Sequence, residues 1–392
     1  MRFSTWVEID LDALTHNIGV VRSEVGPDVR ILLVVKADAY GHGAVEVARS
    51  ALESGVSMLG VATLHEGIEL RQAGVAAPVL ILSPPMKEET TGVVEYDLSC
   101  TVPSLAVARS LSRACTARSK SCPIHVEVDT GMGRSGIGAA EALPFISAVT
   151  SLPGLALEGI FTHFPLSDEN PEFTEAQLDE FGAVLSGLGR KGIDVPVRHA
   201  ANSGAVLEVA SSFEAPLNMV RPGLMVYGLR PSRGCGTGAD LRAVMSFKSR
   251  IAQIRELPAG HGVSYGRTYV APEATPVGVV PVGYGHGYSF RMSNAGEVLI
   301  RGHRAPIIGR VTMDVTMIDL TGVPEAEVGD EVVLFGSQGD SELTVDEVAE
   351  RAGTINYEVI CGIGKRVARA YIRNGEMVGT RTLIERRVVG RR

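Results

Sequence analysis

The chain has 392 residues, of which 45% are hydrophobic and 21% charged, with a formal net charge of -8. That length predicts at least two domains with an ample core, and the modest acidity without any Lys/Arg-rich run excludes nucleic acid as an expected partner. No apolar stretch is long enough to span a bilayer and the start, MRFSTWVEID, lacks a signal-peptide core, so a cytoplasmic protein away from membranes is expected.

In chain order, residues 10–25 carry Leu11, Leu14, Ile18 and Val21 at helical spacing, with Asp10 or Asp12 as the N-cap. The aliphatic run 31–35 is short and rich in β-branched residues, which predicts a buried parallel strand. Lys36 stands where that strand stops. Burial disfavours a charged amine, so a lysine there is a candidate nucleophile or base. Tyr40 follows, between small residues, and Gly41 and Gly43 permit close backbone approach to a ligand. Helical stretches and short apolar strands then alternate. The strands are expected over 58–62, 79–82, 98–102, 124–128, 157–162 and 197–201, with Met219 and Val220 ending an eighth.

Strands that alternate with helices imply a parallel sheet. Eight units match the scale of a β/α barrel, which takes roughly 250 residues. An open doubly wound sheet would gather ligand contacts at one switch point. Here reactive residues follow five different strands, which favours an eight-stranded β/α (TIM-like) barrel. Near Ser232 the texture changes, and the glycine-rich run 233–238 reads as a linker. Beyond it lie β-rich segments at 243–257, 277–282, 298–311, 315–320 and 332–335, and only 345–352 reads as helical. The predicted organisation is an α/β protein with a barrel over 1–235 and a mainly β domain over 236–392. Residues 1–10 are expected to pair with the β domain.

The expected strand at 124–128 places His125, Glu127 and Asp129 on one face. A charged face on a barrel strand is costly unless it lines a polar mouth. Arg134 follows on a glycine-rich loop, where its planar fork suits a carboxylate or phosphate, or an ion pair with an acid of that strand. His163, among Phe161, Thr162 and Phe164, reads alone as a core histidine. Ser203 opens a helical pattern, where a hydroxyl caps the helix and free N–H groups favour phosphate. Arg221 follows the eighth strand, a common place for barrel phosphate sites. Tyr265, followed by Gly266, reads as a turn aromatic. The five cysteines, Cys100, Cys115, Cys122, Cys235 and Cys361, match no metal or redox spacing, so neither a metal nor a disulfide is expected.

Several of these strings resemble segments of the alanine racemases: VVKADAYGHG at 34–43, DTGMGRSG at 129–136 and VRPGLMVYG at 220–228. The likeness runs from Trp6 to Val367 in the family's order. It implies racemisation of alanine with pyridoxal 5'-phosphate (PLP) carried on Lys36 as a Schiff base. Tyr40, Ser203 and Tyr357 would supply hydroxyls to the phosphate, and Gly223 and Leu224 backbone N–H groups. Arg221 would face the pyridine nitrogen. A guanidinium keeps its proton, so the ring stays a weaker electron sink, which suits reprotonation at Cα over transamination. His163 would link Arg221 to Tyr265, the second base beside Lys36. Arg134 and Met313 would meet the substrate. Tyr265 and Met313 would come from a partner subunit, which implies a homodimer with composite sites. The resemblance also implies D-alanine supply for peptidoglycan.

Four departures mark this chain. Thr312-Met313-Asp314 replaces Cys-Met-Asp, Gly285-His286 replaces Ala-Asp within the GYADG motif, Ser289-Phe290 replaces Pro-Arg, and Glu127 stands where many members carry a carbamylated lysine. Glu127 is expected to orient Arg134 directly or through water. A broad-specificity racemase and a PLP-dependent decarboxylase of related fold are the alternative readings.

Overall fold

The structure, a computed structural model, describes residues 3–384 and the backbone of 386–388. Residues 1–2, 385 and 389–392, at the ends of the expected domain ranges, lie outside the described residues. The chain divides into two compact units. One holds Leu14–Ala39 and Ala44–Arg242, and the other holds the chain up to Ala13, Tyr40–Gly43 and Ala243 onward.

Strand β1 (Thr5–Asp10) belongs to the second unit. Asp10 ends it and caps α1 (Leu11–Val25): its Oδ1 accepts from the N–H groups of Asp12 and Ala13, both at 2.9 Å. The first unit is a closed eight-stranded parallel barrel. Its strands are β2 (Arg30–Val34), β3 (Met58–Val61), β4 (Val79–Ile81), β5 (Ser99–Thr101), β6 (Cys122–Asp129), β8 (Leu155–Phe161), β9 (Val197–His199) and β10 (Met219–Val220), with a two-residue β7 (Ile137–Gly138) flanking β6. The order runs β5-β4-β3-β2-β10-β9-β8-β6, and β5 pairs with β6 to close the ring. These strands form because short aliphatic runs such as Ile31–Val34 can be buried on both faces, against the barrel interior and the helices outside. Side-chain caps start the helices between them. Thr63 and Glu66 form a capping box on α3 (Leu64–Gln72), after α2 (Ala44–Glu53), and Ser104 caps α5 (Leu105–Arg118), which follows the short α4 (Thr90–Glu95). Helices α6 (Ala139–Thr150), α7 (Pro171–Arg190) and α8 (Ser203–Glu208) complete the unit.

The second unit is mainly β. β1 lies between β11 (Met245–Arg250), antiparallel, and β21 (Ala368–Arg373), parallel. Strands β12 (Gln253–Leu257), β15 (Thr275–Val280) and β18 (Thr316–Asp319) form a separate sheet, and β13 (Gly262–Val263) pairs with β14 (Tyr269–Val270). β16 (Glu297–Ile300), β17 (His303–Pro306), β19 (Glu331–Gln338), β20 (Ser341–Leu343), β22 (Glu376–Arg381) and β23 (Arg386–Val388) extend the large sheet. The helix expected at 345–352 is α9 (Val345–Ala352), capped by Thr344 and ended by the left-handed Gly353. A second helix that sequence reasoning missed, α10 (Asn356–Cys361), follows it.

Gly41 and Gly43 stand where the backbone is closely packed. A Cβ on Gly41 would sit 2.2 Å from the Ile360 carbonyl oxygen, and one on Gly43 would sit 2.0 Å from the Tyr371 Oη. Both glycines thus allow close packing within the β unit, to which residues 40–43 belong.

Candidate active site

In the barrel unit the candidate residues stand at or just past the C-terminal ends of strands, the end where barrel enzymes place their chemistry. Lys36 follows β2. The backbone before it is fixed on both sides, since the Val34 N–H donates to the Pro222 carbonyl at 3.0 Å and the Val35 N–H donates to Gly60 at 2.8 Å. After Lys36 the chain makes a left-handed helical turn. Ala37, Asp38 and Ala39 have φ/ψ of 51/48, 57/45 and 53/52 degrees, and Tyr40 has φ 52. L-residues adopt this conformation at a cost of roughly 1–2 kcal/mol each. Hydrogen bonds hold it: Ala39 N–H to the Val35 carbonyl at 2.8 Å, Ala37 N–H to Glu66 Oε1 at 2.7 Å, and Ala44 N–H to Asp38 Oδ1 at 2.9 Å. The other oxygen of Glu66 takes the N–H groups of Ala62 at 2.7 Å and Thr63 at 3.1 Å. One carboxylate thus ties the turn beside Lys36 to the start of α3.

Arg221 is buried after β10. Its Nη2 donates to the Thr162 carbonyl at 2.8 Å, the Ala200 carbonyl at 3.0 Å and His163 Nδ1 at 3.2 Å, and its Nη1 donates to His199 Nδ1 at 2.8 Å. Phe161 lies beneath it, 5.0 Å from the guanidinium carbon to the ring centroid. Burial pushes the guanidinium down to about 10, with Glu127 opposing and Arg134 adding to the shift, so it stays charged at neutral pH. His163 is held neutral, far below the ordinary histidine range, by burial and then by the charges of Arg221, Arg134 and Lys36. A guanidinium can only donate, so His163 Nδ1 is the bare nitrogen and Nε2 carries the proton.

Ser203 is the first residue of α8, and Asn202, not Ser203, is the cap: its side chain accepts from the Ala205 N–H at 3.0 Å. That leaves the Ser203 hydroxyl for another task. Its oxygen accepts from the N–H groups of Gly223 at 2.9 Å and Met225 at 3.3 Å. Two backbone donors and a hydroxyl therefore converge after β9 and β10, a donor set that suits an anion's oxygens.

Glu127 is buried within the barrel, and its Oε2 accepts from the Ser135 hydroxyl at 2.6 Å. Arg134 itself is exposed, and among the described residues it forms no ion pair with Glu127 or Asp129. Asp129 instead accepts from the N–H groups of Gly131 at 3.0 Å and Gly133 at 3.1 Å, which folds the loop that presents Arg134. Glu127 is thus not in direct contact with Arg134, and its carboxylate instead holds Ser135, the next residue along the loop.

The β unit holds the remaining candidates. Tyr40 and Tyr357 lie with ring centroids 6.2 Å apart. Burial, then Tyr357 and Cys361, raise the Tyr40 hydroxyl well above its ordinary range, so it remains a neutral donor. Tyr265 is 73% exposed on a turn whose Ser264, Gly266 and Arg267 all have positive φ. The Ser264 hydroxyl ties that turn to the Arg310 carbonyl at 2.7 Å. Met313 is 53% exposed. Thr312 organises its turn, since the hydroxyl accepts from Val315 N–H at 3.0 Å and donates to the Val315 carbonyl at 2.7 Å. His286 Nδ1 accepts from the Gly283 N–H at 3.2 Å, and burial holds this imidazole below its ordinary range.

Family models for the alanine racemase N-terminal and C-terminal domains match residues 9–231 and 244–371. The chain belongs to the alanine racemase family. It is an isomerase, and its relatives cover it almost end to end. An alanine racemase of Halothermothrix orenii is 45% identical over 94% of this chain and 96% of its own. Among solved structures, the alanine racemase of Clostridium difficile superposes with a TM-score of 0.94 at 35% identity, covering 98% of this chain and 100% of that one. The Bacillus anthracis alanine racemase, solved with bound L-Ala-P, gives a TM-score of 0.91 at 37% identity, with 98% and 99% covered.

Sequence reasoning missed two side chains of this barrel, His199 and Glu158. His199 lies inside the expected strand at 197–201 and is the residue that fixes Arg221 Nη1. Its signal was available in the alternation of Val197, Arg198 and His199, the same pattern that marked His125.

Proposed function

We propose that this chain interconverts L- and D-alanine with PLP as cofactor, Lys36 and Tyr265 serving as the two bases. The observation that carries the reading is the barrel end, where Lys36, a charged Arg221 and a neutral His163 share one electrostatic cluster. The residues present fit the cofactor. Ser203 and the Gly223 N–H, which lie together at 2.9 Å, would hold its phosphate, joined, as the family resemblance implies, by the Leu224 N–H and the hydroxyls of Tyr40 and Tyr357. Arg221 would meet its ring nitrogen. When bound, PLP would draw electrons from the α-carbon of the amino acid it holds, so that the α-proton can leave.

The chain's own groups do the rest. Arg221 donates a hydrogen bond and keeps its proton, because a guanidinium near 10 does not release one at neutral pH. Its anchoring to two carbonyls and two imidazoles fixes where that donor points. His163, with its proton on Nε2, offers a donor to a tyrosine oxygen. Lys36 moves the proton on one face of the α-carbon and Tyr265 on the other. Arg134 takes the substrate carboxylate, with Met313 beside it. Glu127 aims Arg134 through Ser135, and as a fixed carboxylate it needs no carbamylation.

Tyr265 and Met313 are exposed on the β unit, as are Tyr284 and Phe290. Apolar groups displayed this way suit an interface, and the active form is a homodimer in which each subunit completes its partner's site. The enzyme works in the cytoplasm and supplies D-alanine for peptidoglycan. Borohydride reduction of the yellow protein followed by peptide mapping tests the cofactor assignment: label on Lys36 is expected, and label elsewhere rejects it. Chiral chromatography after incubation with a panel of L-amino acids tests the substrate, and turnover of several residues at comparable rates rejects strict preference for alanine.

A further inference from the structure

The interior of a β/α barrel is ordinarily filled by layers of branched aliphatic side chains. In this barrel a polar line runs inward from Arg221. Arg221 Nη1 donates to His199 Nδ1 at 2.8 Å, His199 Nε2 lies 2.9 Å from His125 Nδ1, and His125 Nε2 lies 3.1 Å from Glu158 Oε2. The Ser99 hydroxyl donates to that same carboxylate oxygen at 3.0 Å. Both histidines are fully buried, while Glu158 keeps 31% of its side chain exposed.

The packing is built around this line. His199 stacks on Phe161 at 4.8 Å, the ring that also lies under Arg221. Gly159, the strand partner of His125, has no side chain because a Cβ there would sit 2.2 Å from His125 Nδ1.

Donor and acceptor rules give the line one direction. A guanidinium only donates, so His199 Nδ1 is bare. Burial keeps His199 neutral, so its single proton is on Nε2 and is given to His125 Nδ1. His125 is held neutral in the same way, so its proton is on Nε2 and is given to Glu158. That bond is the first cause holding the Glu158 carboxyl below its ordinary range. Every hydrogen bond points from the cation to the anion.

We propose that Glu158 is a positioning residue for Arg221, acting through His125 and His199 to hold both imidazoles in the tautomers that leave His199 Nδ1 free to anchor the guanidinium. A group at 158 that can donate permits the opposite order. His199 would then carry its proton on Nδ1, facing an arginine N–H, and Arg221 would lose that anchor. The role in catalysis rests on the proposed function, in which Arg221 serves the reacting centre.

The test is 15N-histidine labelling of the holoenzyme with tautomers read from the imidazole nitrogen shifts, assigned with His125→Gln and His199→Gln. Both histidines are expected to be Nε2-protonated in the wild-type protein. Glu158→Gln is expected to shift both toward Nδ1 protonation and to lower kcat by about tenfold while KM for alanine changes little. Glu158→Asp, which keeps the carboxylate, should restore the wild-type tautomers and most of kcat. Nδ1-protonated His199 in the wild type overturns the proposal and needs no variant to fold. Lower thermal stability with unchanged kcat in Glu158→Gln also overturns it, because a merely structural line gives that result. Wild-type tautomers as derived in a protein that takes up no PLP overturn the cofactor reading and leave the relay standing.

Discussion

Replacing Ala37 by glycine should stabilise the protein and slow it. Ala37 is exposed and sits at φ 51, ψ 48, in the left-handed turn directly after Lys36. An L-residue there costs roughly 1–2 kcal/mol that glycine does not incur. Glycine in turn adds about 0.5–1 kcal/mol of backbone entropy to the unfolded chain. The exposed methyl contributes little packing, so the net effect is a gain of about 0.5–1 kcal/mol. The bond from residue 37 N–H to Glu66 Oε1 is backbone-donated and survives the change. Urea midpoints of wild type and Ala37→Gly, compared at equal m-value, read the gain, and Ala37→Val should move the other way by more. Turnover reads the second half. If the turn is wound to aim Lys36, the freer backbone lowers kcat even as stability rises, a trade often found where strain sits beside a functional group. A glycine variant less stable by 1 kcal/mol or more would refute the strain. A more stable variant with unchanged kcat would refute its purpose.

Other outcomes follow from the same geometry. Tyr265→Phe should abolish proton removal from L-alanine while D-alanine still exchanges through Lys36, and unimpaired exchange from L-alanine in solvent-isotope half-reactions contradicts the two-base assignment. Glu127→Gln should raise KM for alanine about tenfold, as loss of a charge-assisted bond to Ser135 would, and leave the cofactor absorbance intact. A fall in melting temperature with unchanged KM would show that Glu127 only balances the buried Arg221. Stability should fall with acid, because His125, His163 and His199 are all depressed below the unfolded value of 6.5. The unfolded chain then binds protons the folded one does not, so the loss begins below pH ~6.5 and approaches about three protons, roughly 4 kcal/mol per pH unit. Urea midpoints flat between pH 6.5 and 5 would count against neutral buried histidines.

The barrel was legible because burial on two faces leaves a strand no choice but aliphatic residues, and runs such as Ile31–Val34 and Met58–Val61 show it directly. The helix Val345–Ala352 was legible for the converse reason, a one-sided apolar pattern between a Thr cap and a Gly stop. The left-handed turn after Lys36 was not. Ala37, Asp38 and Ala39 include no glycine, and Ala is the best right-handed helix former. What overrides that preference is partly remote, Glu66 holding the Ala37 N–H from a different helix start, and no local pattern announces it. Helix Asn356–Cys361 was hidden by its length and by Tyr357, Val359 and Ile360, residues that favour strands. The packing of Gly41 against the Ile360 carbonyl was not legible either, because a glycine in a sequence shows that something comes close without showing what does.

His199 and Glu158 show a different limit. A histidine in a barrel strand reads as inward by alternation, yet its value depends on which atoms it meets, and those come from β6, β8 and the loop after β10. Arg221 could not be buried by aliphatic layers, because a desolvated cation needs an acceptor for each donor it turns inward. The Thr162 and Ala200 carbonyls and two imidazoles meet that need with neutral acceptors. The nearest anion on this line is placed two rings away, at Glu158. A carboxylate in direct contact would have neutralised the guanidinium locally and weakened its field at the mouth. Spacing that anion through neutral imidazoles leaves Arg221 held by neutral acceptors and charged, which is what its proposed role as a fixed donor at the end of the barrel requires.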